Sequence, residues 1–165
     1  MTLTISRLSA SHAEGIKEHL LRLSPDDRSL RFSAGLVTDE SIRRYVASIP
    51  FERDAVLGLS DARGKVVGLA HGCVYEVRGG THIEAAFSID AGWRQQGHAR
   101  GLMEAVEAFA AETGAHALVG MCSARNHRMR RVFARAGMVE TREDGEVHVF
   151  RPVPQITFAA MSCGR

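Results

Sequence analysis

The chain is poor in the features that would tie it to secretion, a membrane or a polyanion. Its three cysteines, Cys73, Cys122 and Cys163, are scattered and odd in number, so no disulfide framework is implied. Cys73 and Cys122 fall in or beside strand-like runs and read as small packing hydrophobes. No apolar run reaches membrane-spanning length and no secretory pattern opens the sequence, so no membrane partner is expected and the cytoplasm is the expected compartment. Twenty-one basic residues against nineteen acidic ones leave a formal net charge of +2, too balanced to argue for nucleic acid. Eight histidines are present, but no His-x-His, His-x-x-x-His or Cys-x-x-Cys spacing occurs, and no metal site is expected. Internal repeats, low-complexity segments and an inter-domain linker are absent too. What remains is 165 residues, 45% hydrophobic and 24% charged, ordinary for a soluble domain with a proper core. One domain over residues 1–152 is expected, with a tail over 153–165 after Pro152 and Pro154.

Hydrophobic periodicity and turn chemistry divide that domain. Leu3–Ile5 reads as a first strand and Ala13–Leu23 as a helix. Ser24-Pro25-Asp26-Asp27 is a helix start, with Ser24 as N-cap and acids in the first turn. A further helix runs from Asp39 to Ser48. Ala55–Leu59 and Val66–Tyr75 flank the turn Asp61–Gly64 as a hairpin, and Arg78-Gly79-Gly80 turns the chain into a strand ending near Asp90. A helix with the stripe Leu102, Val106, Phe109 and Ala110 follows. Ala117–Cys122 is another buried strand. Next comes a helix to about Ala136, with Met129, Val132, Phe133 and Ala136 on one face, stopped by Gly137. Met138–Glu143 and Val147–Phe150 make a last hairpin around Asp144-Gly145. The sum is an α/β (α+β) domain, a mixed sheet flanked by helices.

The most informative stretch is residues 87–103. A strand with Phe87 and Ile89 feeds a helix through a glycine-bearing turn. Such a turn aims unpartnered helix N–H groups at one spot, where the helix dipole adds partial positive charge. That is an anion site, suited to phosphate or pyrophosphate. The spacing is neither that of a P-loop nor of a dinucleotide fingerprint. It is Arg94-Gln95-Gln96-Gly97-His98-Ala99, an Arg/Gln-x-x-Gly-x-Gly/Ala arrangement.

In that loop the chain resembles the GCN5-related N-acetyltransferases (GNAT). The resemblance extends downstream to Asn126, Phe133 and Gly137-Met138, and upstream to Leu23–Phe32, which is similar to bacterial Pat-type protein lysine acetyltransferases. It covers about Leu3 to Arg151 and implies the GNAT fold, a mostly antiparallel sheet of six to seven strands. It also implies acetyl-CoA as cosubstrate. The strand at Ser88 and Ile89 would pair with the pantetheine arm, and a backbone N–H near Ile89 would polarise the thioester. Arg94, Gln95, Gln96, Gly97, His98, Ala99, Arg100 and Gly101 form the pyrophosphate loop, with Arg100 as its side-chain candidate. Asn126 is an N-cap by local physics, and by resemblance it also touches the pantetheine. Phe133 stands where many members carry a proton-donating tyrosine, and Met138 replaces the usual phenylalanine.

Deprotonating an acceptor lysine at pH 7 costs roughly 4–5 kcal/mol, whereas expelling a thiolate costs only about 2 kcal/mol. A general base therefore matters more than a general acid. Period-two alternation sets Ile83, Ala85, Phe87 and Ile89 on one strand face and His82, Glu84, Ala86, Ser88 and Asp90 on the other. Glu84 looks like the Pat-type catalytic glutamate. A solvated strand residue is the competing reading. Water, Ser123, Tyr45 or Tyr75 could protonate the sulfur. Arg125, Arg128, Arg130, Arg131 and Arg135 read mostly as a solvated face, with one or two left for the CoA 3′-phosphate. Trp93 reads equally as an anchor of the turn or as part of the site. The expected activity is transfer of an acetyl group from acetyl-CoA to a primary amine, on a protein lysine or a small molecule, by direct attack. The acceptor pocket is expected from residues 24–49 and 140–150, and a homodimer is compatible with the sequence. A non-catalytic acyl-CoA sensor and a protein-interaction module using the arginine-rich helix are the alternatives.

Overall fold

A computed structural model describes residues 2–32 and 37–155. These form strands β1 (Thr4–Arg7), β2 (Ala55–Ser60), β3 (Val66–Val77), β4 (Gly80–Ile89), β5 (Ala117–Ser123), β6 (Val139–Glu143) and β7 (Glu146–Pro152). The helices are α1 (Ala13–Arg22), α2 (Pro25–Phe32), α3 (Asp39–Ala47), α4 (His98–Glu112) and α5 (His127–Arg135). The strands make one sheet in the order β1-β2-β3-β4-β5-β7-β6. Every pairing is antiparallel except β4 with β5, which the α4 crossover makes parallel. This is the expected mixed, mostly antiparallel sheet. The first strand lies slightly later than its hydrophobic run suggests, because its partners are Leu57–Ser60 of β2. Cys163 and most of the tail lie outside the described residues, and among these no helix is long and apolar enough to cross a membrane.

Strand alternation gives the sheet two apolar faces, each covered by its own helices. In β2, Ala55, Leu57 and Leu59 belong to the core under α4, with Leu102, Met103, Val106, Phe109 and Ala110. Val56, one step out of phase, packs instead with Ile16 and Leu20 of α1 and Ile42 and Val46 of α3. The helix starts follow their sequence signals. Ser24 Oγ accepts from Asp27 N at 3.1 Å, Thr38 Oγ1 from Ser41 N at 3.1 Å, and Asn126 Oδ1 from Met129 N at 3.1 Å. Gly137 ends α5 with φ +70°.

The feature that positions the site is a fork. Strands β4 and β5 pair only over His82–Ala117, Ile83–Leu118 and Glu84–Val119. Beyond Glu84 they diverge, and Ala85–Ile89 remain joined to β3 alone. An open strand edge inside a sheet presents backbone donors and acceptors that need partners.

Candidate functional site

A cleft of about 580 Å³ occupies the fork. Its walls are Ala85–Ile89 of β4, Met121 and Cys122 of β5, the turn into α4, the inner face of α5 and part of α2. Of the residues singled out in the sequence, Ser88, Ile89, Arg94, Gln95, Gly97, His98, Ala99, Arg100, Asn126 and Phe133 line it together. Trp93 lines it as well. Glu84, Gln96 and Gly101 do not.

The turn has the geometry of an anion cradle. Gln95 adopts φ +62° and Gly97, the N-cap of α4, φ +84°. Two left-handed residues this close bend the chain so that successive amides converge. Arg100 N bonds back to Gly97 O at 3.0 Å, so the helix-start amides outside the ladder are those before it. The Arg94 side chain serves the loop's own shape. Its Nε donates to Ile89 O at 2.8 Å and its Nη2 to Asp27 Oδ2 at 2.8 Å, tying the turn to β4 and to α2. Gln96 turns its amide to Gly92 O at 3.3 Å. Gly101 is a packing glycine, since a Cβ there would stand 2.9 Å from Ile5 Cδ1. Arg100 pairs with Glu104 at 2.7 Å.

Arg125, Arg128, Arg131 and Arg135 are exposed, as a solvated face predicts. Three of them, Arg128, Arg131 and Arg135, also line the cleft, from one helical face at i, i+3, i+7. Arg130, off that face, is held by Glu140 through two bonds of 3.0 and 2.9 Å. With Arg31, Arg94 and Arg100, six arginines face the cleft against the carboxylates of Asp27, Glu104 and Glu107. The cleft is thus basic, which suits a polyanionic ligand.

Glu84 stands at the branch point itself, as the last β4 residue paired to β5. It is exposed between buried Ile83 and Ala85, as the alternation predicts. Across the sheet its neighbours are Cys73 on β3 and Val119 on β5. Burial pushes the Cys73 thiol up, with Asp54 and Glu84 adding to the effect. Phe133 is buried against Gly120 and meets Phe87 edge-on at 6.3 Å. None of the side chains considered as sulfur acids (Ser123, Tyr45, Tyr75) lines the cleft.

The fold also assembles groups that no local motif announced. Tyr45 Oη meets His71 Nδ1 in a short hydrogen bond and accepts from Arg31 Nη2 at 2.9 Å. His71 Nε2 bonds Asp54 Oδ2 at 3.0 Å, and Asp54 Oδ1 accepts from Val74 N at 3.1 Å. Burial lowers the His71 pKa, with Asp54 only partly restoring it, and burial raises that of Tyr45. Ligand atoms of Asp54, His71 and Cys73 lie within 4.8 Å of one another. This is a metal-sized cluster that sequence spacing did not predict, because its members come from a turn and from one face of β3. Asp54 and His71 already satisfy each other within it.

The comparisons agree with this fold. The chain is similar to the GNAT domain of S. lividans PAT, with a TM-score of 0.78 at 21% identity over 92% of this chain and 91% of that one. It is similar to a GNAT superfamily phosphinothricin acetyltransferase from Sinorhizobium meliloti, solved in complex with AcCoA (TM-score 0.71, 14% identity, 93% and 89% covered). A third similar structure is yncA from Salmonella typhimurium with its cofactor acetyl-CoA (0.71, 14%, 94% and 96%). Comparison with curated protein sequences gives no match. The family model for the acetyltransferase (GNAT) domain matches residues 2–139. The chain belongs to the GNAT acetyltransferase family.

Proposed function

We propose that the protein transfers an acetyl group from acetyl-CoA to a primary amine by direct attack, with Glu84 as general base. The observation that carries this reading is the coincidence of the β4–β5 fork with the left-handed turn at the start of α4. The open edge of Ala85–Ile89 offers an amide-rich pantetheine arm the strand partner it lacks. The amides from Gln95 to Ala99, with the α5 arginines, suit the phosphates. Each contact at a helix end contributes only about 0.3–2 kcal/mol, so micromolar binding needs several together. The complexes of the S. meliloti and S. typhimurium proteins with acetyl-CoA support the same occupant.

The amine nitrogen attacks the thioester carbonyl, whose oxygen leans on a backbone N–H of the open Ala85–Ile89 edge. Glu84 accepts the ammonium proton, directly or through one water, and the sulfur leaves as thiolate. Glu84 lies at the branch point where the arm's reactive end would emerge, exposed and able to meet an arriving amine. The acceptor is a protein lysine or a small amine, approaching past α2, and the compartment we propose is the cytoplasm. The absence of Tyr45, Tyr75 and Ser123 from the cleft favours one second reading, an acyl-CoA sensor that binds without transferring.

Calorimetric titration of acetyl-CoA into the wild type and Gly97→Glu tests the cradle. Micromolar binding abolished by the substitution supports it, and no binding by the wild type sinks it. Glu84→Gln should lower turnover with a good amine by about 10²–10⁴-fold. Unchanged turnover removes Glu84 as the base, and binding without transfer to any amine favours the sensor.

A further inference from the structure

We infer that Ser88 is a second nucleophile in this cleft, activated by His19 and Asp90, through which a bound acyl-CoA thioester can be hydrolysed without any amine. The inference rests on the acyl-CoA occupancy proposed above.

Ser88 lines the cleft on β4, and Asp90 follows at the strand's end on the same side. His19 comes from α1, completely buried behind them. Its Nε2 lies 2.8 Å from Ser88 Oγ and its Nδ1 2.8 Å from Asp90 Oδ1. Those are the two contacts that define a serine–histidine–acid triad, which is recognised by geometry and not by chain order. Burial alone would raise the Asp90 pKa. The hydrogen bonds of His19 and Arg22, with the charge of Arg22, outweigh it and hold the carboxyl below its ordinary range. An ionised carboxylate only accepts, so Nδ1 is the donor to Asp90. In the neutral imidazole Nε2 is then the acceptor of the serine proton. Asp90 Oδ2 is held in turn by Arg22 Nε at 3.2 Å and Nη2 at 2.8 Å, and the same Nη2 reaches Val66 O at 2.6 Å. Asp90 is therefore a positioning residue. Packing does not require a histidine here: Ile16 and Leu20 of the same helix face are fully buried and apolar.

The steps balance without an outside oxidant or reductant. Ser88 Oγ attacks the thioester carbon while its proton passes to His19 Nε2. The C–S bond breaks, and the imidazolium returns the proton to the departing sulfur, a proton Phe133 cannot supply. Water then attacks the acyl-serine ester and gives a proton to His19. The C–Oγ bond breaks and Ser88 takes that proton back. Acyl-CoA and water become a carboxylic acid and CoA. Amides on the open edge of Ala85–Ile89 are placed to stabilise the oxyanion.

The test uses the whole protein with acetyl-CoA and no amine, following CoA release and mapping acetyl groups by peptide mass after acid quench. A parallel arm uses p-nitrophenyl acetate, which needs no CoA cradle, and titration measures acetyl-CoA binding separately. The expected result is CoA release with acetyl on Ser88, and a fall of about 100-fold or more in release for Ser88→Ala and for His19→Gln. Ser88→Cys should restore acylation at that position, which a purely structural hydroxyl would not. Acetyl-CoA binding with no acetyl on Ser88 from either ester overturns the inference and leaves the transferase reading intact. Acetylation of Ser88 by p-nitrophenyl acetate without acetyl-CoA binding upholds the nucleophile and overturns the reading it rests on.

Discussion

At the scale of single residues, the cleft depends on a contact that leaves no spare space. A Cβ on Gly120 would stand 2.8 Å from Phe133 Cζ and 3.1 Å from Val149 Cγ2. The Phe133 ring is 1% exposed and cannot swing away. Gly120→Ala should therefore cost about 1–3 kcal/mol through overpacking, read as a lower urea midpoint with unchanged slope. Roles that depend on one residue and its near neighbours were legible in the sequence. Asn126 reads as an N-cap from its place before an amphipathic run, and it caps Met129 N. Glu84 reads as solvent-facing from alternation, and it is. Ser88, His19 and Asp90 were not legible as a group. His19 is 69 residues from Ser88 and 71 from Asp90 in sequence, and only the packing of α1 over β3, beside the end of β4, joins them. The same holds for Asp54 with His71, set together by the turn before β2.

At the scale of elements, the informative part is α2. Its start was readable from Ser24, Pro25 and the following acids, but its function was not. Nothing local says that Asp27 will reach Arg94 across 67 residues and close one wall of the cleft. Burial raises the Asp27 pKa, but the hydrogen bonds from Arg94 and Ser24 prevail and leave it lowered. Both partners are about a quarter exposed, so the pair is worth only about 1 kcal/mol to folding. Its larger effect should fall on the ligand. Asp27→Asn is expected to change the melting temperature little while weakening acetyl-CoA binding several-fold, because the loop amides lose one of the two struts that shape them. Equal affinity in the two proteins would show that the Arg94–Ile89 bond suffices. Of the two acceptor segments expected from the sequence, α2 supplies cleft-lining residues, whereas residues 140–150 supply none.

At the scale of the whole molecule, the groups beneath α1, α2 and α3 differ in their sensitivity to acid. His71, buried on the α3 side, has a pKa below its ordinary 6.5. The unfolded chain therefore binds that proton first, and its stabilising contribution, complete above pH 6.5, is lost as pH falls through the folded value. Asp27 and Asp90, both held below 3.8, contribute above that value and lose their contribution at still lower pH. Urea midpoints measured against pH should thus fall in two stages, and His71→Phe should remove the first. A single step below pH 4 would contradict the assignment. The fork has a mechanical meaning as well. Three ladder pairs, with the His116–Thr81 bonds just before them, link β1–β4 to β5–β7 across the middle of the sheet, so the one sheet has a short seam at its centre. A ligand seated along Ala85–Ile89 would supply the missing rungs and act as a splint across that seam. Deuterium uptake should therefore slow on both banks of the fork when the cleft fills, including at amides the ligand never touches.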